Sequence, residues 1–290
     1  MCLSLNQSST PEETMPSSSA GLLTESQRAD FTRDGFILVR GLLDGSWLRS
    51  IQPDIRAAFD RNRPAQEHAS GPRTAYQEAF VQVVNMGMRE PDVRSLSRSS
   101  LLGQAAAELM KARGARIFVE DAMFKEDGRG HTPWHQDGSA LPMEPRQMVT
   151  AWVPLLPVGP DSGRLRIARG SHHLGLIGPV DISEATDQAF AELIDDQGLE
   201  VVTLPPMEPG DVSFHGGATI HGALPNKSGR LREVIAIHYF ADGARISALD
   251  NPSQTSLMKH LAPSLRPGDL ARSPAWPLVF DDGTTSGAAP

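Results

Sequence analysis

From Ala115 to Phe240 the chain consists largely of short β-prone runs, and this feature limits its possible folds most. "RIFVEDAMF", "MVTAWVPLL", "LRIA", "LEVVTL", "DVSFH" and "VIAIHYF" follow one another, rich in β-branched and aromatic residues and separated by Gly, Pro, Asp and Asn turn signals. They do not alternate with long helices, so a doubly wound parallel sheet is excluded and a sandwich or closed double sheet is predicted. The acidic segment "DISEATDQAFAELIDDQ" reads as a helix inserted between strands. No internal repeat is present.

Helices precede this β region. Thr24, followed three residues later by Gln27, has the layout of a capping box, and the helix it opens is predicted to end near Gly35. "FILVRGLL" reads as a buried strand. A second helix opens at Asp44 with apolar groups at Trp47, Leu48, Ile51, Ile55 and Phe59, although Pro53 interrupts its middle. "LLGQAAAELMKARG" predicts a third helix with a glycine C-cap. Residues 1–20 are rich in Ser, Thr, Pro and Glu and are expected to form a loose tail. We therefore expect one domain over 21–250 and a C-terminal extension over 251–290.

Charge and cysteine content narrow the class further. A formal charge of −8 provides no basic stripe for phosphates, which argues against nucleic acid as a partner. No apolar run approaches the roughly 18 residues of a membrane span, so neither a membrane nor a protein partner is expected. The single cysteine, Cys2, closes no intramolecular disulfide, and no basic-then-apolar leader is evident, so a cytoplasmic location is expected.

The stretch "HTPWHQDGSA" places His135 and Asp137 two residues apart. On a strand, positions i and i+2 share a face, so an imidazole and a carboxylate would lie side by side with Gln136 turned away. Such a pair alone is equally well explained as a hydrogen bond at a barrel mouth. A third ligand from another strand changes this, because two histidines and one carboxylate on one face leave half an octahedron open, the ligand set of non-haem ferrous oxygenases. His215, His221 and His238 are the candidates. His221 precedes Gly222 and a loop, at a strand end; His238 lies inside an alternating apolar run, where a supporting or satisfied core histidine is expected; His215 also ends a strand. Spacing favours His221 only modestly.

With these residues in view, the chain resembles the phytanoyl-CoA dioxygenase family of Fe(II)- and 2-oxoglutarate-dependent oxygenases. The resemblance runs from about Leu23 to about Phe240. It rests on the order of "LTESQRADFTRDGFILVRGLL", the K-(x)9-HQD arrangement from Lys125 to Asp137, "AWVPLLPV", "SGRLRIARGSH", "PGDVSFH" and "IHGALPNKSGRLR". It implies a mainly β fold, a double-stranded β-helix or cupin-like jelly roll with flanking α-helices. It implies His135, Asp137 and His221 as catalytic metal ligands, and Arg232, eleven positions after His221, as the anchor for the far carboxylate of 2-oxoglutarate. Arg230 competes with it, since the two would share a strand face. Trp152 matches a family tryptophan beside the cosubstrate, and Thr150 would share its face. His172 and His173 match a turn that is structural. One departure is visible: Ala223 stands where many members carry a serine.

The resemblance thus implies an enzyme using Fe(II), 2-oxoglutarate and O2 to hydroxylate an unactivated C–H bond of a small organic molecule, with release of succinate and CO2. An intact Asp137 favours hydroxylation over halogenation, while desaturation and ring formation remain open. The segments 61–80, 138–148 and 175–190 are the expected substrate lining. Arg61, Arg63 and Arg73 are the groups available for a coenzyme A thioester, which the overall acidity disfavours. Two other classes stay open: a cupin-type metal isomerase or hydrolase with the same ligands, and a non-catalytic ligand-binding protein.

Overall fold

The computed structural model describes residues 21–63, 75–144, 147–177 and 182–283. The expected tail 1–20, Arg73 and parts of the three expected lining segments lie outside the described residues. Seven helices are described: α1 (Glu25–Asp34), α2 (Gly45–Asn62), α3 (Ala75–Ala79), α4 (Pro91–Ser97), α5 (Ser100–Met110), α6 (Glu184–Asp196) and α7 (Pro252–Leu261). The strands are β1 (Phe36–Val39), β2 (Val81–Val84), β3 (Gly114–Lys125), β4 (Thr132–His135), β5 (Met143–Glu144), β6 (Met148–Pro154), β7 (Leu165–Ala168), β8 (Val201–Thr203), β9 (Val212–Gly216), β10 (His221–Ala223), β11 (Arg232–Ala241), β12 (Arg245–Ile246) and β13 (Leu278–Asp281).

The strands pair antiparallel into a large sheet, β1-β9-β6-β11-β3-β13 with β2 also on β3, and a small sheet, β4-β10-β7-β8. Each predicted run falls on a strand, and strand periodicity sets what each face does. Along β11, Ile235, Ile237 and Tyr239 pack into the core under the helices, whereas Arg232, Ala236 and His238 line a cavity on the opposite face. On β6 the same alternation sends Val149, Ala151 and Val153 to the core and Met148, Thr150 and Trp152 to the cavity. β3 follows it from Val119 onward; the register slips by one residue opposite His238–Tyr239, and the extra residue, Phe118, faces the cavity beside Val119.

Helices α1, α2 and α5 cover the outer face of the large sheet; Phe59 of α2 stacks on Phe124 of β3 with ring centroids 3.8 Å apart. The Thr24–Gln27 capping box forms, and Gly35 closes α1 at φ 83°. Helix α2 runs continuously through Pro53, held by the Asp44 cap and by the buried row Leu48, Ile51, Ile55 and Phe59. One expectation is corrected: α5 ends at Lys111, in the left-handed region at φ 54°, and Gly114 instead opens β3. Residues 252–281 add a second apolar cluster, in which Trp276 is fully buried between Phe118 and Phe240. No helix among the described residues is long and apolar enough to cross a membrane.

Candidate active site

The cavity lies between the two sheets, and the small sheet supplies its two central histidines. His135 at the end of β4 and His221 at the start of β10 are direct cross-strand partners, with ring centroids 4.2 Å apart. The register can hold them this close because the residue after His221 is Gly222: a Cβ there would stand 2.6 Å from the Thr132 carbonyl oxygen. Each imidazole donates from Nδ1 to the carbonyl two residues earlier, His135 to Pro133 at 2.8 Å and His221 to Thr219 at 3.0 Å. Both Nε2 atoms are thereby left as lone-pair donors facing the cavity.

Asp137 is not on the strand, which corrects the simple i, i+2 argument. It opens a 3-10 turn, Asp137–Ala140, immediately after β4. The turn is pinned where the Gly138 N–H donates to the Gly217 carbonyl at 2.8 Å, an approach that a Cβ on Gly138 would obstruct at 2.9 Å. Gln136 points away, as expected: its amide donates to the Gly175 and Ala218 carbonyls and accepts from the Ile177 N–H. Oδ1 of Asp137 consequently lies 3.6 Å from His135 Nε2 and 3.7 Å from His221 Nε2. One ligand atom from each of the three residues falls within 4.8 Å of the others. A cation about 2.1 Å from each donor would set cis donors roughly 3 Å apart, so the two Asp137–histidine gaps would each need to close by well under 1 Å to complete such a site. Burial lowers the His135 and His221 imidazoles to about 4, each helped by the neighbouring histidine, His221 for the first and His215 for the second, so both are neutral at physiological pH. Burial alone would raise Asp137, but His221, His238 and His215 outweigh it and hold the carboxyl well below its ordinary value.

The large sheet supplies the remaining polar groups. Thr150 lines the cavity, yet its hydroxyl donates to Asp137 Oδ2 at 2.7 Å and contacts His238 Nδ1 at 2.9 Å. His215 donates from Nε2 to the same Asp137 oxygen at 3.1 Å, and His238 reaches Asp121 Oδ2 through Nε2 at 3.2 Å. Burial opposes charge on His238, but Asp137 and Asp121 on either side raise it above its ordinary value. Asp121 escaped the sequence reading, although alternation along "VEDAMFK" puts Val119, Asp121 and Met123 on one face. Tyr76, from the expected lining segment 61–80, stands with its ring edge-on to His135 at 5.7 Å between centroids.

Arg232 begins β11 and is 3% exposed. Its guanidinium donates to the Gly163 carbonyl at 2.8 Å and lies 5.4 Å from the centroid of the Trp152 ring; Nε is buried without a partner. It makes no ion pair among the described residues, and burial lowers it to about 10. Lys125, its cross-strand partner, is wholly buried and donates to Gly130, Thr132 and Leu224. Burial, and Arg232 beside it, lower the Lys125 amine to about 6, so the charge this end of the cavity offers an anion is that of Arg232. Arg230 falls in the exposed turn before the strand, so the two arginines do not share a face. His172 and His173 bond the Thr32 and Arg33 carbonyls and tie their turn to α1, and neither lines the cavity. Arg61 and Arg63 are paired with Glu90 and Glu126. From the three expected lining segments, Tyr76 and Phe80, Ala140 and Met148, and Ile182 reach the cavity. Its volume of about 170 Å³ is some ten times the roughly 10–15 Å³ one water requires, so it holds a molecule beyond a lone ion.

The model of the phytanoyl-CoA dioxygenase (PhyH) family matches residues 31–234, most of the chain, including His135, Asp137, His221 and Arg232. The chain belongs to the phytanoyl-CoA dioxygenase family. It is 34% identical over 106 residues to a 1-deoxypentalenic acid 11-beta-hydroxylase from Streptomyces arenae, an alignment that covers 33% of this chain and only 35% of that relative. Two solved structures share the fold across nearly their whole length. One is the non-haem α-ketoglutarate-dependent carbocyclase SnoK from nogalamycin biosynthesis, with TM-score 0.71 and 21% identity over 89% of this chain and 97% of SnoK. The other is the epimerase SnoN, solved with Fe3+, α-ketoglutarate and nogalamycin RO, with TM-score 0.68 and 24% identity over 88% of this chain and 98% of SnoN. This member of the family thus shares its mainly antiparallel β architecture with Fe/2-oxoglutarate-dependent oxygenases.

Proposed function

We propose that this protein is an Fe(II)/2-oxoglutarate-dependent dioxygenase that hydroxylates an unactivated C–H bond of a small organic molecule, releasing succinate and CO2. The observation that carries the reading is a neutral two-histidine, one-carboxylate cluster in the same cavity as a buried arginine that lacks an acidic partner among the described residues. In this reading the two sheets are the halves of a double-stranded β-helix. His135, Asp137 and His221 hold the metal, two soft-to-intermediate nitrogens and one hard oxygen that suit ferrous iron. Bound there, iron with 2-oxoglutarate and O2 supplies the oxidising chemistry.

The chain's own residues do the positioning. Arg232 takes the far carboxylate of 2-oxoglutarate with its planar fork, and Trp152 packs beside it. Ala223 lines the cavity but offers no hydroxyl, so the cosubstrate relies more heavily on Arg232. Tyr76, Phe80, Phe118, Met123 and Met148 form an apolar wall that excludes water and suits a substrate presenting a hydrocarbon face. The hydroxylase name of the Streptomyces relative supports hydroxylation, and the intact Asp137 supports it over halogenation.

The test is anaerobic titration of the apo-protein with Fe(II) and then 2-oxoglutarate, followed by the visible charge-transfer band of the chelate and by succinate release on admitting air. Appearance of the band, and its loss in Arg232→Leu, is the expected result. Metal binding without the band would move the non-oxidative metal enzyme ahead.

A further inference from the structure

We propose that Thr150, His215 and His238 form a clamp on the outer oxygen of Asp137, with Asp121 locking His238 from behind, so that Asp137 serves the metal through Oδ1 alone. This rests on the metal reading above and adds to it an assignment of four residues that do not themselves bind the ion.

The clamp is a product of strand register. His238↔Thr150 pairs β11 with β6, and Thr150↔His215 pairs β6 with β9. The three therefore stand in one row across the large sheet, and all three side chains line the cavity. The row belongs to the large sheet, whereas His135 and His221 belong to the small one.

The two carboxylate oxygens consequently have different surroundings. Oδ2 receives the Thr150 hydroxyl at 2.7 Å and His215 Nε2 at 3.1 Å, with His238 Nδ1 at 3.6 Å. Two donors occupy the two lone pairs of that oxygen, which leaves it none for a cation. Oδ1 has no such donors among the described residues and faces the two imidazole Nε2 atoms at 3.6 and 3.7 Å. The donors are themselves held: the Thr150 oxygen accepts from His238 Nδ1 at 2.9 Å, and His238 Nε2 is fixed on Asp121 Oδ2 at 3.2 Å. Thr150, His215 and His238 are 1%, 1% and 8% exposed, so water cannot replace a lost donor at little cost. A carboxylate free to turn would offer both oxygens and occupy a position that 2-oxoglutarate needs for its two-oxygen chelation.

Thr150→Val keeps the shape of the side chain and removes the hydroxyl; Thr150→Ser restores it. In the Mn(II)-loaded, oxygen-inert protein, Thr150→Val and Asp121→Asn are expected to weaken Mn(II) or 2-oxoglutarate binding, read by calorimetry, by roughly 10- to 100-fold. Thr150→Ser should recover most of that loss. A crystal structure of the Mn(II) form should show one Asp137 oxygen on the metal in the wild type and a rotated or two-oxygen carboxylate in Thr150→Val. If Thr150→Val does not fold, His238→Gln carries the same expectation. Unchanged affinities with Asp137 unmoved would overturn the clamp while leaving the metal site standing. A wild type that takes up no Mn(II), or takes it up equally well as His135→Ala, would overturn the metal reading and the clamp together.

Discussion

Replacing Arg232 with leucine should separate function from stability, because the site holds a buried cation without an acidic partner among the described residues. The lowering of its guanidinium to about 10 corresponds to roughly 3 kcal/mol of desolvation carried by the folded protein. Against this, the variant leaves the Gly163 carbonyl unpaired, about 1–3 kcal/mol, and loses the contact over Trp152, about 1 kcal/mol. These terms nearly cancel, so the apo-protein should keep its stability to within about 1 kcal/mol. The cosubstrate behaves differently. Removing one partner of a buried, hydrogen-bonded charge pair costs roughly 2–5 kcal/mol, or at least about 30-fold in affinity. Denaturant unfolding of the Mn(II) protein, with and without 2-oxoglutarate, measures both effects. At a concentration 100 times the wild-type Kd, the cosubstrate stabilises by about 2.7 kcal/mol, and for a variant weakened 100-fold by about 0.4 kcal/mol. Loss of more than about 2 kcal/mol in the apo form, with full stabilisation by 2-oxoglutarate retained, would refute the reasoning. Arg230→Leu, in an exposed turn, should change neither quantity.

Other positions can be tested independently. His135→Ala and His221→Ala should abolish Fe(II) uptake while circular dichroism shows the β signature unchanged; retained uptake by either variant removes that histidine from the ligand set. Trp276→Ala should cost about 3–5 kcal/mol in urea unfolding, since the side chain is fully buried between Phe118 and Phe240. Trp276→Phe should cost far less, because it keeps most of the ring and removes an indole N–H that has no hydrogen-bond partner; equal losses would refute that account. Glu120 is raised to about 7, chiefly by burial. The folded protein therefore holds a proton that the unfolded chain releases near its ordinary carboxyl range, so this residue's contribution to stability falls as pH rises from about 4.5 to 7. Glu120→Gln should stabilise by up to about 3 kcal/mol at pH 8 and little at pH 4, as paired unfolding curves at the two pH values would show.

The strands were legible because each carries its own evidence: β-branched residues, period-two alternation and turn residues at both ends. The caps at Thr24, Asp44 and Gly35 were legible for the same local reason. What escaped depends on register, which no single segment encodes. "VIAIHYF" marks His238 as cavity-facing or core-facing, but only its pairing with Thr150, and Thr150's with His215, puts the three in one row. Arg230 and Arg232 could not be separated by alternation, and the structure separates them by where the strand begins. Residues 252–281 read as an extension because the family resemblance ends near Phe240. Trp276 becomes a core residue only once β13 lies beside β3.

The division of labour between the sheets has a physical consequence. The small sheet and the turn after it offer the His135, Asp137 and His221 donors, while the large sheet, with helices on its outer face, determines how Asp137 is turned. The rigidity of the site therefore depends on packing that never touches it. Phe118 shows the connection: the extra residue at the β3 register slip lines the cavity on one side and meets Trp276 at 6.2 Å on the other. Emptying the Trp276 position should let Phe118 and its neighbour Val119 relax. Val119 is the direct cross-strand partner of His238, so the loosened strand is the one that carries Asp121 and aligns His238 against Thr150. A variant chosen to disturb only the core should thus also weaken cosubstrate binding, in proportion to how far it frees β3.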